Sequence, residues 1–260
     1  MTMHDTGHDA LLHFEHAGEG AHVVLIHAGI ADSRMWAPQW AAWEGRFALT
    51  RLDLRGFGRS GRQTGSFSHA ADVLAVLDAT RIDRAALVGA SFGGRVALDL
   101  AAAHPERVTG LVLADPPLPG HAWSDEIRAF SEAEDEALEA GDLDAATDVN
   151  VEFWLASASE AVRAAIREQQ RNAFELQFGD EPDESFLTPE LRSALASLDI
   201  PALVITGEHD KADFLAIADE LAATLPNARR ETIPGAGHLP SLEQPAAFDA
   251  AVLPFLEEVA

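Results

Sequence analysis

The sequence has 260 residues, of which 47% are hydrophobic, and this length suits one domain with a sizeable insertion. Its 43 acidic side chains outnumber the 18 basic ones, and the formal net charge of -25 at pH 7 argues against binding to the phosphate backbone of nucleic acids. The absence of cysteine excludes disulfides and thiolate metal sites, and it favours a cytoplasmic location.

The first residues give no sign of a targeting segment. The stretch "MTMHDTGHDALLHF" lacks the basic and apolar regions of a signal peptide, and no apolar run reaches the length of a membrane span. The tract "HDTGHD" (4–9) contains metal-binding residue types, but it is more typical of a disordered terminus. Since no histidine and acid cluster has the spacing of H-E-x-x-H either, we expect no metal site and no membrane association.

Further along the chain, apolar runs bounded by glycine, aspartate or charged residues alternate with segments of helical periodicity. The runs typical of buried strands are 21–29, 47–56, 84–91, 108–115, 201–210 and 228–237. The helical segments are 68–82, which Ser68 is predicted to cap, 92–108, 212–226 and 244–259. Strands that are buried on both faces and alternate with helices predict an α/β fold, with a mostly parallel central sheet and helices on both faces.

The alternation breaks once, between residues 116 and 195. This segment has no clear strand pattern, is helical in character and contains 19 acidic and 5 basic residues. A structureless loop of that length is implausible inside a compact domain. We therefore predict a core formed by residues 1–115 and 196–260, with an inserted helical cap, or lid, at residues 116–195. The aromatic residues of the predicted cap are Trp123, Phe130, Phe153, Trp154, Phe174, Phe178 and Phe186.

The stretch "GASFG" (89–93) lies where a predicted strand ends and a predicted helix begins. It matches the G-x-S-x-G pattern of a nucleophile elbow, a tight turn that exposes the serine hydroxyl. Small neighbours are needed around Ser91 because the strand and the helix approach closely there. The bare pentapeptide is weakly specific, and a glycine-rich turn with an N-capping serine is the simpler alternative. Its place between strand and helix favours the elbow.

A serine hydroxyl is a poor nucleophile at neutral pH, so it needs an adjacent base that a third group orients. In this arrangement the chain order is serine, acid, histidine, and the late sequence supplies both partners. Asp210 ends the stretch "LVITGEHD", just past a predicted strand, and His238 lies in the loop "IPGAGHLP". Asp115, at the end of "LVLAD", is the rival acid, because some proteins of this type place the acid after the earlier strand.

Four motifs together are similar to those of α/β-hydrolases, over essentially the whole chain: "HAG" (27–29), "DLRGFGRS" (53–60), "GASFGG" (89–94) and "GAGH" (235–238). The core most resembles esterases and lactonases grouped near the 3-oxoadipate enol-lactonases. This resemblance implies that Ser91 is the nucleophile, His238 the base and Asp210 the acid. It also implies that His27 shapes a loop, while His209 is expected to be an exposed neighbour of the acid.

An oxyanion hole requires two backbone N–H groups aimed at the developing negative charge. One is expected from Phe92, which follows the nucleophile, and the other from the loop after the first long strand. The usual family pattern in that loop is His-Gly-x. Here Ala28 occupies the position of the glycine, so we assign Gly29 as the second donor.

The predicted cap is expected to set substrate choice, with Trp123, Phe153 and Trp154 as candidate pocket residues. The acidic surface favours a neutral, apolar substrate over a carboxylate. The only cation that the motifs place near the site is Arg34, which is expected to pair with one of the many acids.

These observations predict a cofactor-free serine hydrolase that cleaves carboxylic esters or lactones of small molecules, as a monomer or homodimer. Two alternatives stay open at this point. The same triad could serve a carbon–carbon bond hydrolase, a perhydrolase or a hydroxynitrile lyase, and a hydrolase fold can also belong to a binding or sensing protein. A serine at position 91 argues against dehalogenases and epoxide hydrolases, whose relatives have an aspartate there.

Overall fold

The computed structural model describes residues 2–5, 11–179 and 183–260. Most of the tract 4–9 therefore lies outside the described residues. The described strands are β1 (Thr2–Asp5), β2 (Leu11–Ala17), β3 (His22–Ile26), β4 (Ala48–Leu52), β5 (Ser66–Phe67), β6 (Ala85–Ala90), β7 (Val108–Ala114), β8 (Asp183–Glu184), β9 (Ala202–Gly207) and β10 (Ala228–Ile233). The described α-helices are α1 (Ala37–Trp43), α2 (His69–Ala79), α3 (Phe92–Ala103), α4 (Asp125–Glu139), α5 (Leu143–Trp154), α6 (Glu160–Gln177), α7 (Leu191–Ala194), α8 (Ala212–Thr224), α9 (Pro240–Glu243) and α10 (Pro245–Val259).

Eight of the described strands form one twisted sheet in the order β1-β2-β4-β3-β6-β7-β9-β10. The β1–β2 and β2–β4 pairs are antiparallel, and every other pair in this sheet is parallel. All six predicted strands are present, each a few residues shorter than its apolar run. The prediction of a mostly parallel α/β sheet is confirmed.

The central strands are apolar on both faces because each face is covered by helices. On one face, Val24 and Leu87 pack with residues of α2, α3 and α8. On the other face, Val23 and Val88 pack with residues of α1 and α10, including Phe248. The alternation of neighbouring residues between the two clusters follows the period of two in a strand. The predicted placement of helices on both faces is therefore confirmed.

Between β7 and β9, three longer helices pack in succession, with α5 in contact with both α4 and α6. Each begins at a side-chain cap that the sequence supplies: Ser124, Asp142 and Ser159 each accept a hydrogen bond from the first turn. One detail of the prediction was wrong, since the segment does contain a strand. β8 pairs in parallel with β5 outside the main sheet. Two acidic residues cannot produce the apolar signal of a strand. The division into core and cap stays a prediction.

Among the described residues, no helix has both the length and the apolar character needed to cross a bilayer.

Candidate active site

Ser91 occupies the turn between β6 and α3 in a backbone conformation that few residues adopt. Its φ is +47° and its ψ is -118°, values that cost a non-glycine residue about 1–3 kcal/mol. The chain fixes this conformation by tight packing. A Cβ atom added at Gly89 would lie 2.4 Å from the Gly93 carbonyl oxygen, and one added at Gly93 would lie 2.3 Å from the Ile26 carbonyl oxygen. The glycines of the motif therefore permit the close approach of strand and helix that the sequence predicts.

The loops that follow β9 and β10 bring two further side chains to the serine. His238 Nε2 lies 2.9 Å from Ser91 Oγ, and His238 Nδ1 lies 3.0 Å from each carboxylate oxygen of Asp210. The two loops touch at Gly207, where a Cβ atom would lie only 2.0 Å from the Gly237 carbonyl oxygen. Ser91, which lies more than a hundred residues before the other two in the sequence, thus joins Asp210 and His238 in one continuous chain of hydrogen bonds.

The pKa values of the two carboxyl groups near the imidazole are shifted in opposite directions. Burial raises the pKa of Asp210, but the facing His238 and hydrogen bonds from His238, Asp115 and the Lys211 backbone outweigh it, and the net result is a lowered pKa. Asp115 is fully buried behind it, and this burial, together with the Asp210 charge, raises its pKa well above the ordinary value. Asp115 therefore holds a proton more readily than Asp210, and it is Asp210 that makes the hydrogen bond to His238 Nδ1.

Asp115, Asp210 and His238 also lie close enough together to share a metal ion, with one ligand atom of each within 4.8 Å of the others. Both ring nitrogens of His238 are already engaged, however, one by Asp210 and the other by Ser91. A metal ligand needs a free nitrogen lone pair, so this arrangement fits a hydrogen-bonded triad better than a metal centre.

Gly29 and Phe92, the residues predicted to form the oxyanion hole, are close neighbours in space. A Cβ atom added at Gly29 would lie 3.4 Å from Cβ of Phe92, at the first residue of α3. Among the described residues, neither amide donates to a backbone carbonyl. Helix N-termini leave such N–H groups free for an anion. His27 holds the Gly29 loop, because its Nδ1–H donates to the Ala28 carbonyl at 2.8 Å and its Nε2 accepts from the Leu54 N–H at 2.9 Å.

The alpha/beta hydrolase family model matches residues 23–251. The chain belongs to the alpha/beta hydrolase family. One relative is RutD of Caulobacter sp. (strain K31), provisionally named a carbamate hydrolase. It is 32% identical over 269 residues, which cover 95% of this chain and 96% of that protein.

Solved structures of similar fold support the assignment to this family. The enol-lactonase from Burkholderia xenovorans LB400 superposes with a TM-score of 0.79 and 28% identity, covering 96% of this chain and 98% of its own. Est816, described as an N-acyl homoserine lactone degrading enzyme, superposes with a TM-score of 0.78 and 26% identity. The match covers 97% of this chain and 99% of Est816. The predicted resemblance to esterases and lactonases is confirmed.

In this alpha/beta hydrolase, two cavities meet at Ser91. We call the first the outer lobe; it has a volume of about 510 Å3. Its wall combines apolar side chains, among them Trp123, Ile127 and Phe214, with the charged side chains of Arg128, Glu132 and Asp135. We call the second the inner lobe; it has a volume of about 360 Å3. Its lining residues include Gly29, Glu134, Asn150, Gln170, Phe174 and His238. Both lobes share four lining residues: Ser91, Phe92, Phe130 and Trp154.

Of the three predicted pocket residues, Trp123 and Trp154 line these lobes and Phe153 does not. Successive residues of a helix point about 100° apart, so Phe153 and Trp154 cannot both face the serine. Phe153 lies behind, stacked on Phe130 at 4.4 Å between ring centroids. Trp154 lies 4.4 Å from the His238 ring, and Phe214 lies 4.5 Å from it on another side. The sequence analysis missed Phe214, although it follows Asp210 by only one helical turn.

The remaining charged candidates lie away from the serine hydroxyl. Arg34 is held by Asp32 through contacts of 2.8–3.1 Å and by Glu168 at 2.7 Å, and these partners raise its pKa. The predicted pairing of Arg34 with acids is confirmed. Lys211, the only lysine, donates to Glu126 of α4 at 2.7 Å, and its Nζ lies 4.0 Å from the centre of the Phe153 ring. His209 is exposed, as predicted.

Proposed function

We propose that this protein is a serine hydrolase that cleaves carboxylic esters or lactones of small molecules through an acyl-enzyme. The observation that carries the proposal is the hydrogen-bond chain from Ser91 through His238 to Asp210, at 2.9 and 3.0 Å. This geometry matches the requirement that a nucleophile and its base lie within hydrogen-bond reach while a third group orients the base.

The proposed reaction starts when Ser91 Oγ attacks the substrate carbonyl carbon while its proton passes to His238 Nε2. Asp210 stabilises the resulting imidazolium, because its ionised carboxylate accepts the Nδ1–H. The tetrahedral oxyanion accepts hydrogen bonds from the Gly29 and Phe92 amides. His238 then protonates the leaving alcohol oxygen, and a water molecule repeats the same steps on the acyl-enzyme. These steps require no cofactor.

Aromatic contacts support a dry environment for this chemistry. Trp154 and Phe214 cover two sides of the imidazole, and His238 is only 4% exposed. Excluding water strengthens each electrostatic interaction within the site. Trp154 belongs to α5 and Phe214 to α8, so the segment 116–195 supplies one of these two rings, which supports the proposal that this segment acts as a lid. The enzymes of the two solved structures act on lactones, which favours ester and lactone substrates, whereas RutD is named for a carbamate, which the same steps could cleave.

A fluorophosphonate probe tests the proposed nucleophile directly. We expect one covalent adduct on Ser91, mapped by mass spectrometry, and hydrolysis of p-nitrophenyl acetate by the unmodified protein. Ser91→Ala should lose both the adduct and roughly 10⁶ in kcat. The matched control is Ser193→Ala, which removes an exposed hydroxyl of α7. A Ser91→Ala protein that keeps more than a few per cent of the activity would refute the assignment, and absent labelling of the folded protein would favour a binding function.

A panel of p-nitrophenyl esters and simple lactones then separates ester hydrolysis from the other triad chemistries. The cytoplasmic location and the monomeric or homodimeric state remain proposals, and gel filtration with light scattering tests the latter.

A further inference from the structure

The two lobes at Ser91 differ in chemistry, and the inner lobe is more polar than an apolar substrate requires. Its polar side chains come from three different helices: Glu134 from α4, Asn150 from α5, and Gln170 and Gln177 from α6. All four lie within the same cavity as Gly29 and His238. Polar groups that converge on a pocket from separate elements are a common means of fixing the orientation of a ligand.

The carboxyl group of Glu134 is held in place at the wall of the inner lobe. Asn150, which is 2% exposed, donates one N–H to Glu134 Oε1 at 2.5 Å and the other to the Ala146 carbonyl at 3.0 Å. Both amide protons of Asn150 are thus used, and its position is fixed. A carboxylate has about four acceptor sites, so Glu134 keeps acceptor capacity for a further donor.

Gln170 offers a second acceptor in the same cavity. Its side chain is 4% exposed, and among the described residues its Oε1 atom has no hydrogen-bond partner. A buried acceptor without a partner costs free energy, which a bound donor would recover. Because the last torsion of a glutamine is broad, a half-turn of the amide can present either its oxygen or its nitrogen to the lobe.

The charges around the inner lobe disfavour an anion. Among its described lining residues there is no arginine or lysine, and the only basic side chain is His238. Arg34, the cation nearest along the loop, lies outside both lobes and is bound by Asp32 and Glu168. Burial raises the pKa of Glu134, and Asn150 opposes that shift. A substrate carboxylate would meet Glu134 without a compensating positive group.

We propose that the inner lobe is a subsite for a substrate group that donates hydrogen bonds, namely a hydroxyl, an amine or an amide N–H, which Glu134 and Gln170 accept. This rests on the proposed hydrolysis at Ser91 and specifies its substrate class: neutral, as the surface charge suggests, but polar at one end. Gln170 Oε1, a buried acceptor in the same lobe as Glu134, would gain a partner from such a donor.

Substituted benzyl phenylacetates test the subsite. Each ester carries a methyl, hydroxyl, amino or carboxylate group at one para position. In the first series this group is on the acyl ring, and in the second it is on the alcohol ring. Hydrolysis is followed by chromatography. In one series we expect kcat/KM for the hydroxyl and amino esters to exceed that for the methyl ester about tenfold, with the carboxylate ester the poorest. Glu134→Leu should reduce this preference to about twofold or less.

Three further variants separate a loss of the subsite from a loss of folding. Glu134→Gln retains an acceptor and the shape of the side chain, so it should keep part of the preference even if Glu134→Leu folds poorly. Gln170→Leu should weaken the preference without affecting the Glu134–Asn150 contact. The control Glu136→Gln removes one exposed acid from the same helix and should leave the wild-type ratios unchanged.

The outcomes separate the two proposals. A wild-type protein that cleaves p-nitrophenyl acetate but prefers the methyl or the carboxylate ester in both series would overturn the subsite and leave the hydrolase proposal intact. Equal ratios in wild type, Glu134→Leu and Gln170→Leu would overturn it as well. No cleavage of any ester and no labelling of Ser91 would overturn the proposed function itself.

Discussion

Replacing each of the two buried aspartates by asparagine distinguishes the residue that orients the imidazole from the one behind it. Asp210 contacts His238 Nδ1 through both oxygens at 3.0 Å, whereas Asp115 reaches the imidazole only through Asp210. Both substitutions keep nearly the same volume, so differences between them report on charge and hydrogen bonding. We expect Asp210→Asn to damage catalysis far more than Asp115→Asn.

The expected size follows from the contacts. An amide at position 210 offers N–H groups as well as an oxygen to Nδ1, and it can hold the imidazole in the wrong tautomer. In a well-studied serine protease triad this change costs about 10⁴ in kcat, which corresponds to about 5.4 kcal/mol at about 1.36 kcal/mol per tenfold. In Asp115→Asn the new amide would be neutral, as a protonated Asp115 is, and its N–H could donate to Asp210 as the protonated acid could. We therefore expect Asp115→Asn to lose less than about tenfold in kcat.

The assay is the steady-state hydrolysis of p-nitrophenyl acetate, with kcat and kcat/KM measured from pH 6 to 9 for wild type and both variants. Circular dichroism and thermal melting establish that each variant is folded. Asp210→Asn should still carry Ser91, so slow labelling by a fluorophosphonate should remain detectable. A greater loss in Asp115→Asn would move the role of the triad acid to Asp115, and equal losses would refute the expectation that the two carboxyl groups differ in role.

Three further predictions concern stability and specificity. Gly93→Ala should lower the free energy of unfolding, measured in urea, by about 1–3 kcal/mol, because the new methyl group would overlap the Ile26 carbonyl of β3. The control Gly45→Ala, whose new methyl group would have no atom within 4 Å, should change the free energy of unfolding little. Equal urea midpoints for the two variants would contradict this prediction. Burial raises the pKa of Asp115 above its unfolded value, so rising pH between those values deprotonates the unfolded chain first and destabilises the fold. Asp115→Asn should therefore lose less stability than wild type between pH 5 and pH 8, and parallel curves from chemical denaturation would count against a neutral Asp115. Trp154→Ala, which enlarges both lobes, should shift the preferred acyl chain of p-nitrophenyl esters to longer lengths, while Phe153→Ala should not; the opposite ranking would place Phe153 in the pocket.

The sequence predicts the centre of the sheet well because those strands are apolar on both faces. β6 has six buried residues in succession, which is typical of a strand covered by helices on both faces. The first antiparallel strands were missed because they lack such a continuous apolar run. β2 pairs with β4 at the side of the sheet, and its residues "LLHFEHA" mix apolar and polar types without a continuous run. Its place depends on its partner strand more than on its own composition.

For the site, chain order and loop context were enough to name the residues that meet at Ser91. They could not show which faces of α4–α6 turn toward it, because helix rotation is set by packing between elements far apart in sequence. Glu134 and Gln170 are separated from Ser91 by at least forty residues, and each lies on a helix with many similar polar side chains. The polarity of the inner lobe therefore emerges only in three dimensions.

Lys211 can be modified selectively, and it lies between α4 and α5. As the only side-chain amine in the sequence, it is the one lysine that an activated ester or an aldehyde resin can modify. Lys211 follows Asp210 directly in the sequence, and its side chain contacts Glu126 of α4 and Phe153 of α5. Acylation would remove the positive charge from both contacts at once. Immobilisation through lysine would therefore attach the protein next to Asp210, whereas a small fluorophore attached there would report on movements of α4.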